Sequence, residues 1–388
     1  MIHEAYRIYQ VKVKDKMSQI SLFVKSLWMP EKGLAPYRLV ADNGAWVSCE
    51  PAEGPQMTDL QVLDGIVVPG LVDLHTHIGE GSSPFAIGTD ALLGTGVTTG
   101  CSQGDVGHEN IDSWILQTRP EAPHARGLLA INLAPFGEKD GMSGLELVTS
   151  STVQQTVKAA ERHSDEVRMV SVNLSERSLG RAKADTMFQY ALELRKRLSL
   201  PLMIGLAPDK ILPLRTQLDG LIQGDIVTYC YRSTPWTLFP EGLPIDGVVE
   251  ARDRGVLFDV GHGKSSFDKQ VAKASIAAGF LPDTISSDIQ SATTLSNKTI
   301  DLVTVMQLVW ECGAPLKHVL AASTITPARV LGLTDGTGHA MVGARADLSF
   351  LDISVPQWIG RPIIANGVPT ASKSHHRLNA LEQSIKHE

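Results

Sequence analysis

The feature that most constrains this chain is its texture between about residue 66 and residue 335. There, short apolar runs alternate with longer stretches of helical character. The runs are GIVVPGLVDLH, GVTTGCS, RGLLAINLAP, VRMVSVNLS, LPLMIGLAP, GDIVTYCY, GVLFDVGHG and DTISSD, with helical segments such as KADTMFQYALELRKRL and FDKQVAKASIAAG between them. Alternating β and α units imply a parallel sheet covered by helices. About eight units in about 270 residues predict an α/β fold, a (β/α)8 TIM barrel.

The two ends of the chain read differently. Residues 1–65 hold brief β-forming runs, ISLFVKSLW, YRLVADN, AWVSCE and QVLDGIVV, punctuated by Pro30, Gly33, Gly44, Pro51, Gly54 and Pro55, with no convincing helix. Short strands return in GARADLSFLDI and RPIIANGVPTA. The expected organisation is therefore a small β-sandwich domain built from 1–65 and 336–388, and a barrel from 66–335. The tail from Ala371, with His375 and His376, reads as polar surface.

Composition narrows the functional classes. A net charge of −7, with no lysine or arginine run, argues against nucleic acid as a partner. No window approaches the roughly 18 apolar residues of a membrane span, and the N-terminus has no secretory pattern. Cys49, Cys101, Cys230 and Cys312 are far apart without a CxxC pair, so reduced thiols and a cytoplasmic location are expected.

In such a barrel the chemistry lies at the C-terminal ends of the strands. The first run ends in DLHTH, and residues two apart on a strand share a face, so His75 and His77 can ligate one metal. The last run ends at Asp288, which can serve as metal ligand, as general base, or as both. A helix N-cap is the alternative for Asp288. Glu80, Asp105, His108 and Glu109 fall on loops after the first two strands, where a solvated side chain is the ordinary expectation. Cys101 reads as a buried free cysteine, and Cys230 points away from the barrel interior.

PGLVDLHTH resembles the PGxxDxHxH signature of the amidohydrolase superfamily. GVLFDVGHGKSSFD and GFLPDTISSD resemble its amidohydrolase/deacetylase or dihydroorotase-like branch. The resemblance spans essentially the whole chain. It implies a barrel with a small β domain, metal-dependent hydrolysis of carbon–nitrogen bonds in a small-molecule substrate, and a homo-oligomer of unspecified number. It also implies a binuclear site: HxH, a bridging carboxylated lysine from strand four, one histidine each from strands five and six, and an aspartate from strand eight.

Three of those positions are substituted. Ser171 stands where the bridging lysine would be, with Asn173 on the same face; Gly205 and Tyr229 stand at the two histidine positions. Serine forms no carbamate, glycine has no side chain, and tyrosine, with a pKa near 10, is a poor zinc ligand at neutral pH. A two-metal site is therefore not expected. His75, His77 and Asp288 can still hold one divalent cation, zinc being the first expectation. In the resembling branch His262 also ends strand seven, which suggests contact with substrate or proton handling; a histidine simply hydrogen-bonded in a glycine-rich loop is the alternative. Asn173 and Tyr229 join it as candidate substrate-binding residues.

The preferred expectation is a one-metal amidohydrolase acting on a small N-acyl, cyclic amide or related compound, with Asp288 and His262 catalytic. The alternatives are a degenerate homologue acting as a binding or scaffold protein, and a one-metal isomerase or lyase.

Overall fold

The computed structural model describes residues 19–57, 59–62, 65–118, 125–138, 144–291 and 300–370. The polar tail, with His375 and His376, lies outside the described residues. Two sheets organise the chain.

The first sheet combines β1 (Gln19–Met29), β2 (Gly33–Asp42), β3 (Ala45–Pro51), β4 (Leu60–Val62) and β5 (Ile66–Pro69) from the N-terminal side. From the C-terminal side come β13 (Leu348–Asp352), β14 (Ile359–Ala365) and β15 (Val368–Pro369). Both chain ends thus contribute to one sheet, in the order β15-β14-β13-β5-β1-β2-β3, with β4 paired to β1. Leu22, Val24, Leu39, Trp46, Val67, Leu348 and Ile364 share its apolar core. The expected sandwich is corrected in one respect: the described strands form a single hydrogen-bonded sheet rather than two. The reason lies in β1, whose ladder with β2 shifts register between Val24 and Leu27. It pairs with β4 before that irregularity and with β5 after it. The change of sheet falls at Gly70, a few residues beyond the expected boundary at 65, because β5 pairs with β13.

The second sheet is parallel and barrel-like. Its strands are β6 (Leu71–Thr76), β7 (Val97–Gln103), β8 (Arg126–Asn132), β9 (Val167–Asn173), β10 (Leu202–Gly205), β11 (Ile226–Val227) and β12 (Leu257–Phe258), each beside the next in sequence. DTISSD, expected as an eighth strand, and Ile289 just after it make isolated parallel bridges instead. Thr284 bridges Asp259 beyond β12, and Ile289 bridges Thr76 at the end of β6. The last segment therefore touches both edge strands.

Alternation along the strands separates two apolar layers. Val72, Leu74, Leu128, Ala130, Met169, Met203 and Ile226 pack together inside, with Cys101 and with Ala328 and Leu331. Their neighbours Leu129, Ile131, Val170, Val172, Leu202, Ile204, Val227 and Phe258 pack outward in the main core. Cys230 joins that outer core as expected, although simple alternation from Ile226 and Val227 would turn it inward; β11 ends at Val227 and the backbone turns at Tyr229, whose φ is +65°. The helices Ala184–Leu198 and Lys269–Ala277 fall on the two predicted helical stretches. The second begins at Asp268, whose side chain accepts from the backbone N–H groups of Gln270 and Val271. Among the described residues no helix is long and apolar enough to cross a membrane.

Candidate active site

His75 is the penultimate residue of β6, and His77 lies just beyond the strand. Simple alternation does not carry from Leu74 to His75, because the pairing of β6 with β7 shifts register between Asp73 and Thr76. The irregularity places the histidines on the inside directly above the inner apolar layer. Asp288 is held against them by backbone hydrogen bonds from Asp288 N to His75 O, 2.8 Å, and from His77 N to Ile289 O, 3.0 Å. Its φ is +51°. Among the described residues it caps no helix.

The three side chains converge. Asp288 Oδ1 lies 2.9 Å from His77 Nε2 and 3.5 Å from His75 Nε2. One ligand atom from each residue lies within 4.8 Å of the others. Donor atoms around a tetrahedral zinc stand about 3.3 Å apart, given bonds of about 2.0–2.1 Å, so the spacing suits one small cation.

The far side of each ring is tied down. Thr228 Oγ1 donates to Asp259 Oδ2 at 2.9 Å, and its oxygen can then accept from His75 Nδ1 at 3.0 Å. That assignment leaves His75 Nε2 with a lone pair facing Asp288. His77 Nδ1 donates to Asp105 Oδ1 at 2.9 Å. Its Nε2 must also donate to reach Asp288, so His77 is an imidazolium between two carboxylates. The pKa values agree. Burial alone would lower that of His77, but Asp105 and Asp288 raise it well above the ordinary value. Burial takes His75 down to about 4. Asp288 is lowered despite burial, by the charges of His75 and His77 and by the His77 hydrogen bond. Rings oriented through one nitrogen, with the other turned to a common point, are how metal-ligating histidines are held.

Beneath them lies a polar layer. Asp259 accepts from Ser286 at 2.6 Å, Thr284 at 2.7 Å and Thr228, and burial raises its pKa to about 6. Asp73, the aspartate of PGLVDLHTH, accepts from the hydroxyl and backbone N–H of Ser287 and from His75 N, with its pKa raised by burial to about 7. These bonds lock strand ends that are far apart in sequence.

The substituted positions form a packed unit. Ser171 is buried and donates to Ala130 O at 3.2 Å. A Cβ on Gly205 would come within 3.0 Å of Asn173 Oδ1 and 3.2 Å of Tyr229 Cε2. The tyrosine ring thus occupies space that a side chain at Gly205 would need, and it packs 5.4 Å from the His75 ring. We expect Gly205→His alone to cost about 1–3 kcal/mol through overpacking. Adding Tyr229→His should recover part of that, as a double-mutant cycle by denaturant unfolding will read.

Other expected residues separate. His262 is half-buried, donates from Nδ1 to Gly263 O at 2.7 Å and stacks on Phe267. Burial lowers its pKa, so it stays neutral at pH 7. Glu80 is exposed, and His108 meets Glu109 and Thr156 rather than the cluster. Asp105 corrects the expectation of a solvated loop carboxylate: it is fully buried, bonded to His77 and to Ser83 and Ser102. Glu138, after β8, was not singled out by sequence. Its pKa is raised to about 7 by burial, with Asp288 and Asp105 adding to the rise and with His77 and an Asn173 hydrogen bond opposing it. Its only sequence signal is a carboxylate on the loop after an apolar run.

Gly263 presses on the cluster, since a Cβ there would lie 2.2 Å from Asp288 Oδ2. Gly263→Ala should therefore weaken metal binding at least 10-fold, comparable to losing an outer-shell partner. Equilibrium dialysis against zinc checks it.

A profile of the Amidohydrolase family matches residues 247–375, which include Asp259, His262 and Asp288. That match, with the deacetylase relatives and solved structures that follow, supports the amidohydrolase superfamily. A deacetylase of Brucella anthropi is 27% identical over 349 residues, covering 87% of this chain and 78% of the relative. A dihydroorotase crystal structure superposes with a TM-score of 0.75 at 23% identity, covering 89% of this chain and 96% of that one. An adenine deaminase does so with 0.76 at 23% identity, covering 90% and 98%. These structural likenesses concern the amidohydrolase fold, a barrel-like domain with a separate sheet domain. Metal dependence is what the superfamily implies, and the cluster of His75, His77 and Asp288 is chemically suited to it.

Proposed function

We propose that this protein is a one-metal amidohydrolase that cleaves the C–N bond of a small N-acyl or cyclic amide compound, on a closed (β/α)8 barrel. The observation that carries the reading is the convergence of His75 Nε2, His77 Nε2 and Asp288 Oδ1, with both outer ring nitrogens engaged by Thr228 and Asp105. The deacetylase relatives and the dihydroorotase structure support the bond type.

A divalent cation held by those three residues, zinc by its nitrogen and oxygen donor set, would polarise the scissile carbonyl and acidify water. Asp288, a carboxylate at neutral pH, takes the proton that water gives up and passes it to the leaving nitrogen. Neutral His262 keeps an Nε2 lone pair with which to accept a substrate N–H. Tyr229 remains a phenol, because burial and the charges of Asp288 and Glu138 raise its pKa well above the ordinary value. It can donate a hydrogen bond to the developing oxyanion from the side where a second metal would sit in a binuclear relative. Tyr229→Phe should then lower kcat about 10²–10³-fold with metal content unchanged. The test of the whole reading is metal content per chain, followed by a screen of N-acyl and cyclic amides with wild type and His75→Ala. One metal and hydrolysis, both lost in the variant, is the expected result; no metal and no hydrolysis rejects it.

One observation favours a second reading, a non-hydrolytic scaffold. The Gly205–Tyr229–Asn173 packing fills the second-metal side with a well-fitted apolar ring.

A further inference from the structure

Arg232 lies in the loop after β11, three residues past Tyr229. Its guanidinium sits 4.7 Å from the centre of the Tyr229 ring and 5.0 Å from that of Trp236. Trp236 is buried and anchored by its indole N–H to Leu206 O at 2.8 Å. Arg232 Nη2 donates to Ser266 Oγ at 2.7 Å, and Ser266 N donates to His262 O at 3.2 Å. The cation is thus fixed in orientation between the Tyr229 loop and the His262 loop. Tyr229 in turn packs on His75.

This placement is costly without a purpose. Burial lowers the Arg232 pKa, and with Tyr229 a neutral phenol only Asp288 lends it favourable charge. Among the described residues no carboxylate lies within ion-pair distance of it, and its buried Nε has no hydrogen-bond partner. By contrast, Arg195 and Arg345 are paired with Asp225 and Asp347. A guanidinium held over aromatic rings keeps N–H groups on its rim, which match a planar anion with parallel hydrogen bonds.

We propose that Arg232 is the specificity-determining residue that binds a carboxylate on the substrate, so the preferred compounds are N-acyl amino acids or similar amide carboxylates. The proposal rests on the hydrolase reading for the bond that is cleaved, and on the Arg232 geometry alone for the charge of the ligand. Wild type as purified should bind N-acetylglycine at least ten times more tightly than uncharged N-acetylglycinamide in isothermal titration. Arg232→Met should bind both equally, and Arg232→Lys, which keeps charge without the planar edge, should fall between. Metal content should not change in either variant, because Arg232 is not a ligand.

Equal affinities in wild type, no saturable binding of N-acetylglycine, or a preference retained in Arg232→Met would each overturn the proposal. Thermal unfolding checks that the variants fold, and if the methionine variant does not, the lysine variant decides. Failure here is distinct from failure of the hydrolase reading. A metal-free, inactive protein that still prefers the carboxylate sinks only the latter, and an active metalloprotein indifferent to it sinks only the Arg232 role.

Discussion

Asp288→Asn should release the metal while leaving the fold in place. The substitution preserves shape but removes the charge on which His75 Nε2 and His77 Nε2 converge. Loss of an outer-shell partner costs about 10–100-fold in affinity, and loss of the only carboxylate in the ligand set should exceed that. Zinc at about 100 times its Kd stabilises the wild type by about 2.7 kcal/mol, an increment that should vanish in the variant. Thermal unfolding with and without zinc reads it directly. A variant that still rises in Tm with zinc would show that the cation sits elsewhere. Hydrolysis should fall with binding, since Asp288 also carries the proton in the proposed reaction.

Asp105→Asn should act more subtly, and mainly through pH. In the metal-free protein His77 carries a proton at Nε2, and a cation must displace it. Despite burial, Asp105 and Asp288 hold the His77 pKa well above the ordinary value. The sign follows from linkage. Stability from this raised histidine is fully present below its unfolded pKa, about 6.5, and is lost as pH rises through the higher folded value. Metal affinity must climb over the same interval, as the competing proton leaves. His75 works the other way: lowered to about 4, it costs stability as pH falls below about 6.5, because the unfolded chain takes up the proton first.

Asp105→Asn removes a principal cause of the His77 rise, so the pH at which metal binding sets in should move down. At high pH, affinity should drop about 10–100-fold, because the ring loses its orienting carboxylate. Zinc titrations across pH would show two curves that differ in both midpoint and plateau. Curves that superimpose would mean that Asp105 neither orients nor charges His77.

Much of this protein was legible from local pattern. The alternation between residues 66 and 335 produced the parallel strands at the expected runs. DLHTH and the end of DTISSD supplied the three residues that converge. The hydrophobic period explains why: it is a property of neighbours in sequence, and it dictates which face is buried and where each strand ends. The eighth unit was less clear, because DTISSD is short and its bridges are isolated. The sandwich expectation missed the irregularity in β1, which depends on its partners.

What the tertiary structure alone decided were the relations between distant groups. Asp105 looked like a loop carboxylate until the fold brought it 2.9 Å from His77. Thr228 had no distinguishing motif and Asp259 was only part of the DVGHG string, yet together they set which nitrogen of His75 faces the cation site. The sequence showed that Gly205 and Tyr229 had replaced histidines, but not that one makes room for the other. Strand ends and ligand types follow from composition along the chain. The charge state of a histidine, the partner of an arginine and the space beside a glycine depend on burial and on distances of a few ångströms, which only the folded chain defines.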